Sequence, residues 1–119
     1  MWVGAVEYEQ VGAYFYAADV FVFPTREDVW GLVLVEAMMF GKPVLASRWA
    51  GSTEMVSSGE NGYIFDPYEP EQLAELMSML IDCPEQIRQM GEASKKIMET
   101  HTLDKVAKSL TEVVDSVLA

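Results

Sequence analysis

The chain has one cysteine, one histidine, and eight lysines and arginines against nineteen aspartates and glutamates. Each scarcity excludes something. Cys83 alone cannot form an internal disulfide, which fits a reducing compartment. A formal charge of −11 lacks the basic footprint that nucleic acid or an anionic membrane surface requires, so it reads mainly as solubility. No apolar run nears the roughly 20 residues needed to cross a bilayer. The N-terminus, MWVGAVEYEQ, has no basic region and is interrupted by Glu7 and Glu9, unlike a secretory signal. There is no P-loop and no set of residues at metal-ligand spacing. These absences predict a cytoplasmic protein without a transmembrane segment or a nucleic-acid partner. Half the residues are hydrophobic and 23% are charged, and 119 residues suffice for one modest core.

Short apolar runs alternate with helical patterns. Val20 to Phe23 stops at Pro24, Pro43 to Ala46 is entered through Gly41, and Gly62 to Phe65 lies between an Asn61-Gly62 turn and Asp66-Pro67. All three read as buried strands, and Trp2 to Val6 is a candidate fourth. The runs are continuous rather than alternating, as strands covered on both faces require. Helices are predicted at Glu9 to Ala18, at Leu32 to Phe40, and briefly at Ser52 to Ser58. Such alternation predicts a parallel sheet with right-handed crossovers.

After Pro67 the pattern is helical only, with predicted helices at Glu69 to Asp82, Glu85 to Glu99 and Leu103 to Leu118. The expected fold is therefore α/β, the second half of a doubly wound parallel sheet of three to four short strands with helices on both faces. It forms one partial domain over 1–119, with a β/α part at 1–68 and C-terminal helices at 69–119. Natural sheets pair or cover their edges. The missing half is expected to come from upstream or from another chain, and an edge left bare is expected to self-associate.

Glu36 is the one charge between Val29 and Gly41. A helix apolar on all sides is a buried helix, and a buried carboxylate without a partner is costly. Arg26, Lys42, Arg48 or a backbone amide could answer it. So could hydroxyls of a sugar, because Glu36 lies one turn into the helix, near the carboxyl-end edge where open α/β sheets bind ligands. The preceding turn, Thr25 to Gly31, ends in a glycine at a helix N-terminus, which suits a diphosphate or sugar, although Gly31 could simply permit a tight bend. Asp28 could be only a cap. Elsewhere His101 reads as a cap or surface residue between two helices, and Glu54 either lines the cleft or opens a short helix.

Taken together, ADVFVFPTREDVWGLVLVEAMMFGKPVLAS and AGSTEMVSSGENGYIFDPYEPEQLAELM closely resemble the C-terminal domain of GT-B glycosyltransferases, in particular the retaining enzymes of family 4. The shared pattern is an acidic residue, seven others and then Glu, held here by Asp28 and Glu36 around Trp30-Gly31-Leu32. It continues through Gly41-Lys42-Pro43-Val44, Gly51 and Glu54, and Asn61-Gly62.

The resemblance implies that Glu36 binds the ribose of a nucleotide-sugar donor and that Asp28 contacts the transferred sugar, with Glu27 as the alternative. The backbone of Trp30, Gly31, Leu32 and Val33 would face sugar and diphosphate. It implies no metal and no cofactor apart from the donor, which is the substrate. The expected parent is a hexosyltransferase of glycan or lipid synthesis, in the cytoplasm or peripheral to the membrane. The first acidic position is more often Glu, and neither Arg26 nor Arg48 matches the family's diphosphate-binding basic residues, which lie further upstream. The isolated chain is therefore expected to be inactive. A non-catalytic module of the same fold that pairs with another chain is the alternative.

Overall fold

A computed structural model describes residues 2–27 and 31–118, with backbone alone at 101–106, 109, 110 and 113. In chain order the elements are α1 (Tyr8–Ala17), β1 (Phe21–Phe23), α2 (Leu32–Met39), β2 (Val44–Ser47), a 3-10 turn (Thr53–Met55), β3 (Gly62–Phe65), α3 (Pro70–Ile81) and α4 (Pro84–Leu118).

The three strands form one parallel sheet in the order β1-β2-β3. Phe21 is in register with Val44, and Val44 in turn with Gly62. All four residues of β2 are buried, as a central strand covered on both faces requires. Its alternation splits the core in two. Val44 and Ala46 face Phe15 of α1, Leu34, Ala37 and Met38 of α2, and Met98 of α4. Leu45 faces the other side, with Phe65, Leu80 of α3 and Met90 of α4.

The predicted α/β half-sheet with helices on both faces is present, with four local differences. Trp2 to Val6 is not a strand. Gly4 takes φ +80°, which breaks an extended run, and Trp2 is 96% exposed. The Ser52–Ser58 helix shrinks to the 3-10 turn. The two last predicted helices are one, because the chain from Glu92 to Leu118 contains neither glycine nor proline and the Thr100-His101-Thr102 step costs little helix propensity. His101 therefore lies within α4, with its side chain outside the described residues. Finally, α2 is not enclosed on all sides, since Leu32 is 70% and Met39 61% exposed.

Gly91, a weak point by propensity, has a packing role. A Cβ there would stand 2.3 Å from the Gly41 carbonyl oxygen, so only glycine lets α4 approach the turn before β2. Ser94 Oγ donates to the Lys42 carbonyl at 2.7 Å beside it. On the exposed face of α4, Arg88 is clasped by Glu85 and Glu92, and its hydrogen bonds hold the Glu85 carboxyl below the usual carboxylate range.

Gly62 is tighter still, because its Cβ would stand 1.8 Å from the Val44 carbonyl oxygen. Asn61, just before it, is fully buried. Its Oδ1 accepts from Ser57 N at 2.7 Å and its Nδ2 donates to the Met55 carbonyl at 3.1 Å. Asn61→Leu strands the buried Met55 carbonyl and the half-buried Ser57 N–H. We expect a loss of about 2–4 kcal/mol of folding stability, read by urea denaturation; a variant as stable as the wild type would show that these bonds do not hold the β3 entry.

Candidate functional site at the carboxyl edge of the sheet

In a parallel α/β unit the turn leaving a strand and the head of the next helix meet at the carboxyl edge. Here β1 runs out through Pro24 and Thr25, whose hydroxyl donates to the Glu27 carbonyl at 3.1 Å and accepts from Glu27 N at 3.3 Å. This hydroxyl-anchored turn fixes the exit from β1. Gly31 then caps α2 in the left-handed conformation, φ +74°, and makes no side-chain cap bond. A Cβ on Gly31 would lie 2.7 Å from the Phe23 ring and 3.3 Å from Ser52 Oγ, so the glycine is needed for both backbone angle and space. The first N–H groups of a helix have no intrahelical partner. Leu34 N donates to the Gly31 carbonyl at 3.1 Å, whereas the N–H groups of Leu32 and Val33 have no partner among the described residues, at the positive dipole end of the helix.

One turn along α2, the half-buried Glu36 lines a groove of about 430 Å³ with Tyr8, Glu9, Val11, Phe15 and Phe40. Because α1 runs antiparallel to β1, its Tyr8–Glu9 end also lies toward the carboxyl edge. None of the basic residues offered from sequence answers Glu36. Arg48 lies 3.6 Å from Asp66 and stacks on Trp49 at 5.1 Å, Lys42 Nζ donates to the Tyr16 carbonyl, and Arg26 sits 5.4 Å over the Tyr68 ring. The Glu36 carboxylate has no hydrogen-bond or ion-pair partner among the described residues. Partial exposure lowers the cost of its charge below that of the fully buried carboxylate expected from sequence.

Two carboxylates, Glu9 and Glu36, and the Tyr8 hydroxyl border a groove that is otherwise apolar. It suits a neutral polyhydroxyl ligand that donates hydrogen bonds, whereas the head of α2 suits an anion. Gly31, Leu32 and Val33 form the head of α2 and Glu27 the turn before it, while Glu36 lies one turn further along, in a groove that reaches Met39 and Phe40 at the far end of the helix. Asp28 and Trp30 lie outside the described residues. Glu54 is exposed on the 3-10 turn. Sequence reasoning missed Tyr8 and Glu9 as walls of the Glu36 groove, and Ser52 behind Gly31. Neither carries a local signal, because each depends on how separate segments meet. Among the described residues no group of three or more His, Cys, Asp or Glu is gathered as metal ligands.

Residues 1–97 match the family model described as glycosyl transferases group 1. The chain belongs to this family. Among its relatives, the D-inositol 3-phosphate glycosyltransferase of Streptomyces griseus is 31% identical over 111 residues, 93% of this chain and 24% of that protein. The group 1 glycosyltransferase chain thus spans about a quarter of the length of these curated relatives. Of solved structures, the sucrose-phosphate synthase of Thermosynechococcus elongatus superposes with a TM-score of 0.78 at 26% identity, covering 95% of this chain and 30% of that one. Anabaena HepE, solved with UDP and with UDP-glucose, gives TM-scores of 0.76 and 0.73 at 27% identity, over 87% of this chain and 29% of that one. This group 1 glycosyltransferase chain has the Rossmann-like architecture of the C-terminal part of a GT-B fold. Among the described residues no helix is long and apolar enough to cross a membrane.

Proposed function

We propose that the chain is the donor-binding part of a retaining glycosyltransferase that moves a hexose from a nucleotide sugar to a glycan, lipid or other acceptor. The observation that carries this reading is Glu36: a half-buried carboxylate, unpaired among the described residues, one turn from the head of α2 in a groove it shares with Tyr8 and Glu9. Two ribose hydroxyls of the donor would give it the hydrogen bonds the protein does not. The diphosphate and sugar would lie against the backbone from Trp30 to Val33 at the head of α2, whose N–H groups meet the charge growing on the leaving phosphate. Asp28, eight residues before Glu36, would hold a hydroxyl of the transferred sugar and orient the anomeric carbon, with Glu27 able to take that contact. No side chain is needed as a nucleophile, and the rate enhancement comes from positioning and charge stabilisation.

The remainder of the site would come from an upstream half. Beside the free edge of β1 lies an apolar groove of about 550 Å³, walled by Val20, Val22, Leu45, Met77 and Ile81, which a preceding strand and helix would cover. Alone, the chain is proposed to be inactive and to self-associate through that edge. The proposed setting is cytoplasmic, or peripheral to a membrane where the acceptor is a lipid.

The test is Asp28→Asn in the full-length enzyme. We expect kcat to fall about 10²-fold, the scale of one lost transition-state contact, while nucleotide affinity stays near the wild-type value. Equal losses in both, by steady-state kinetics and calorimetry, would argue against a sugar contact.

A further inference from the structure

We propose that Ser52 is a positioning residue for the donor, its hydroxyl acting from beneath Gly31 as a cap supplied by another segment for the head of α2. This inference rests on the donor-site reading above. Ser52 is fully buried, and its Oγ has no hydrogen-bond partner among the described residues. Buried hydroxyls are nearly always paired, and leaving one unpaired costs about 1–3 kcal/mol. The exception therefore needs a cause, and its location provides one.

Ser52 Oγ stands 3.3 Å from where a Gly31 Cβ would be, against the one residue that caps α2 without a side-chain bond. N-capping is ordinarily the task of a serine-type oxygen that accepts an N–H of the first turn. Here the capping residue has no side chain, and a serine hydroxyl from a different loop lies behind it. That loop is firmly held. Ala50 N donates to the Ser47 carbonyl at 3.1 Å, Met55 N donates to the Ser52 carbonyl at 2.9 Å, and both follow directly from the buried central strand β2.

Ser52 is thus fixed to the sheet, and the head of α2 is the part that adjusts to it. A hydroxyl both donates and accepts. Leu34 N is already bonded to the Gly31 carbonyl, so when donor oxygens draw one of the Leu32 and Val33 N–H groups, Ser52 Oγ accepts the other and holds that head in the bound orientation. Glycine at 31 is what allows this, since a Cβ there would fill the space between Phe23 and Ser52.

The experiment compares wild type with Ser52→Ala and Ser52→Cys in the full-length enzyme, measuring thermal midpoint and the affinities for uridine, UDP and UDP-glucose. Ser52→Ala should leave the midpoint unchanged or raised, because it removes a buried polar atom that has no partner among the described residues. It should weaken UDP and UDP-glucose about tenfold, the scale of one hydrogen bond, and leave uridine, read through Glu36, unaltered. Ser52→Cys, with a weak acceptor of similar shape, should recover part of the loss. A lowered midpoint with parallel loss for all three ligands would show a merely structural serine and overturn the proposal. Affinities equal to wild type would overturn it too while leaving the donor site standing. Wild-type protein that binds none of the three would remove both readings.

Discussion

Gly62→Ala should cost several times more stability than Gly12→Ala. The position is an ordinary strand residue without a left-handed φ, so backbone freedom is not the reason. The reason is space. The added Cβ would lie 1.8 Å from the Val44 carbonyl oxygen and 2.8 Å from its carbonyl carbon, both backbone atoms of the buried central strand. A side chain could rotate away from such a clash, whereas this carbonyl belongs to the strand β3 pairs with. Relief requires β3 to move off β2, which also disturbs Asn61 and the carbonyl that accepts from Val44 N at 3.0 Å.

Overpacking typically costs about 1–3 kcal/mol when side chains can adapt. With rigid backbone on both sides we expect more than about 3 kcal/mol, a large part of the about 5–15 kcal/mol available to a domain. Gly12→Ala is the control. It meets only the Phe40 ring at 3.3 Å and gains helix propensity within α1, so it should be close to neutral. Urea denaturation followed by circular dichroism distinguishes the two, and a Gly62→Ala midpoint matching that of Gly12→Ala would refute the steric account.

Glu36→Ala should leave the fold intact and remove most of the donor affinity. Since the Glu36 carboxylate pairs with nothing among the described residues, its loss should change stability by no more than about 0.5 kcal/mol. If two ribose hydroxyls donate to it, each bond to a charged acceptor is worth about 1.5–3 kcal/mol. Nucleotide binding should then weaken by at least about 10²-fold. Glu36→Gln keeps one acceptor and should fall between. Calorimetry with free nucleotide on the full-length enzyme reads this directly. Unchanged affinity would sink the ribose role, whereas a fall in thermal midpoint would indicate a structural partner for the carboxylate.

Much of the architecture was legible because its signals are local. Continuous apolar runs bounded by Gly and Pro gave the strands Phe21–Phe23, Val44–Ser47 and Gly62–Phe65. The acidic pair at 28 and 36 was legible only as a family pattern; the isolated oddity of Glu36 left ligand and internal partner equally open. Other features could not be read because they depend on where separate segments meet. Asn61-Gly62 looks like a turn signal, yet its glycine lies in β3 under the Val44 carbonyl and its asparagine is a buried clamp. Gly91 looks like a helix defect until Gly41 is placed against it. The Thr-His-Thr step looked like a helix boundary, but nothing in it obstructs propagation, so α4 runs through.

That uninterrupted helix also changes how the domain comes apart. Met90 is part of the core on one face of the sheet and Met98 part of the core on the other, with Gly91 and Ser94 pressed against the turn before β2. Within about two turns, α4 passes around the amino edge of the sheet and fastens both layers. Neither layer can be peeled off while this segment stays wound, so the two behave as one cooperative unit of hydrogen exchange. The amino edge serves as the anchored end of the molecule.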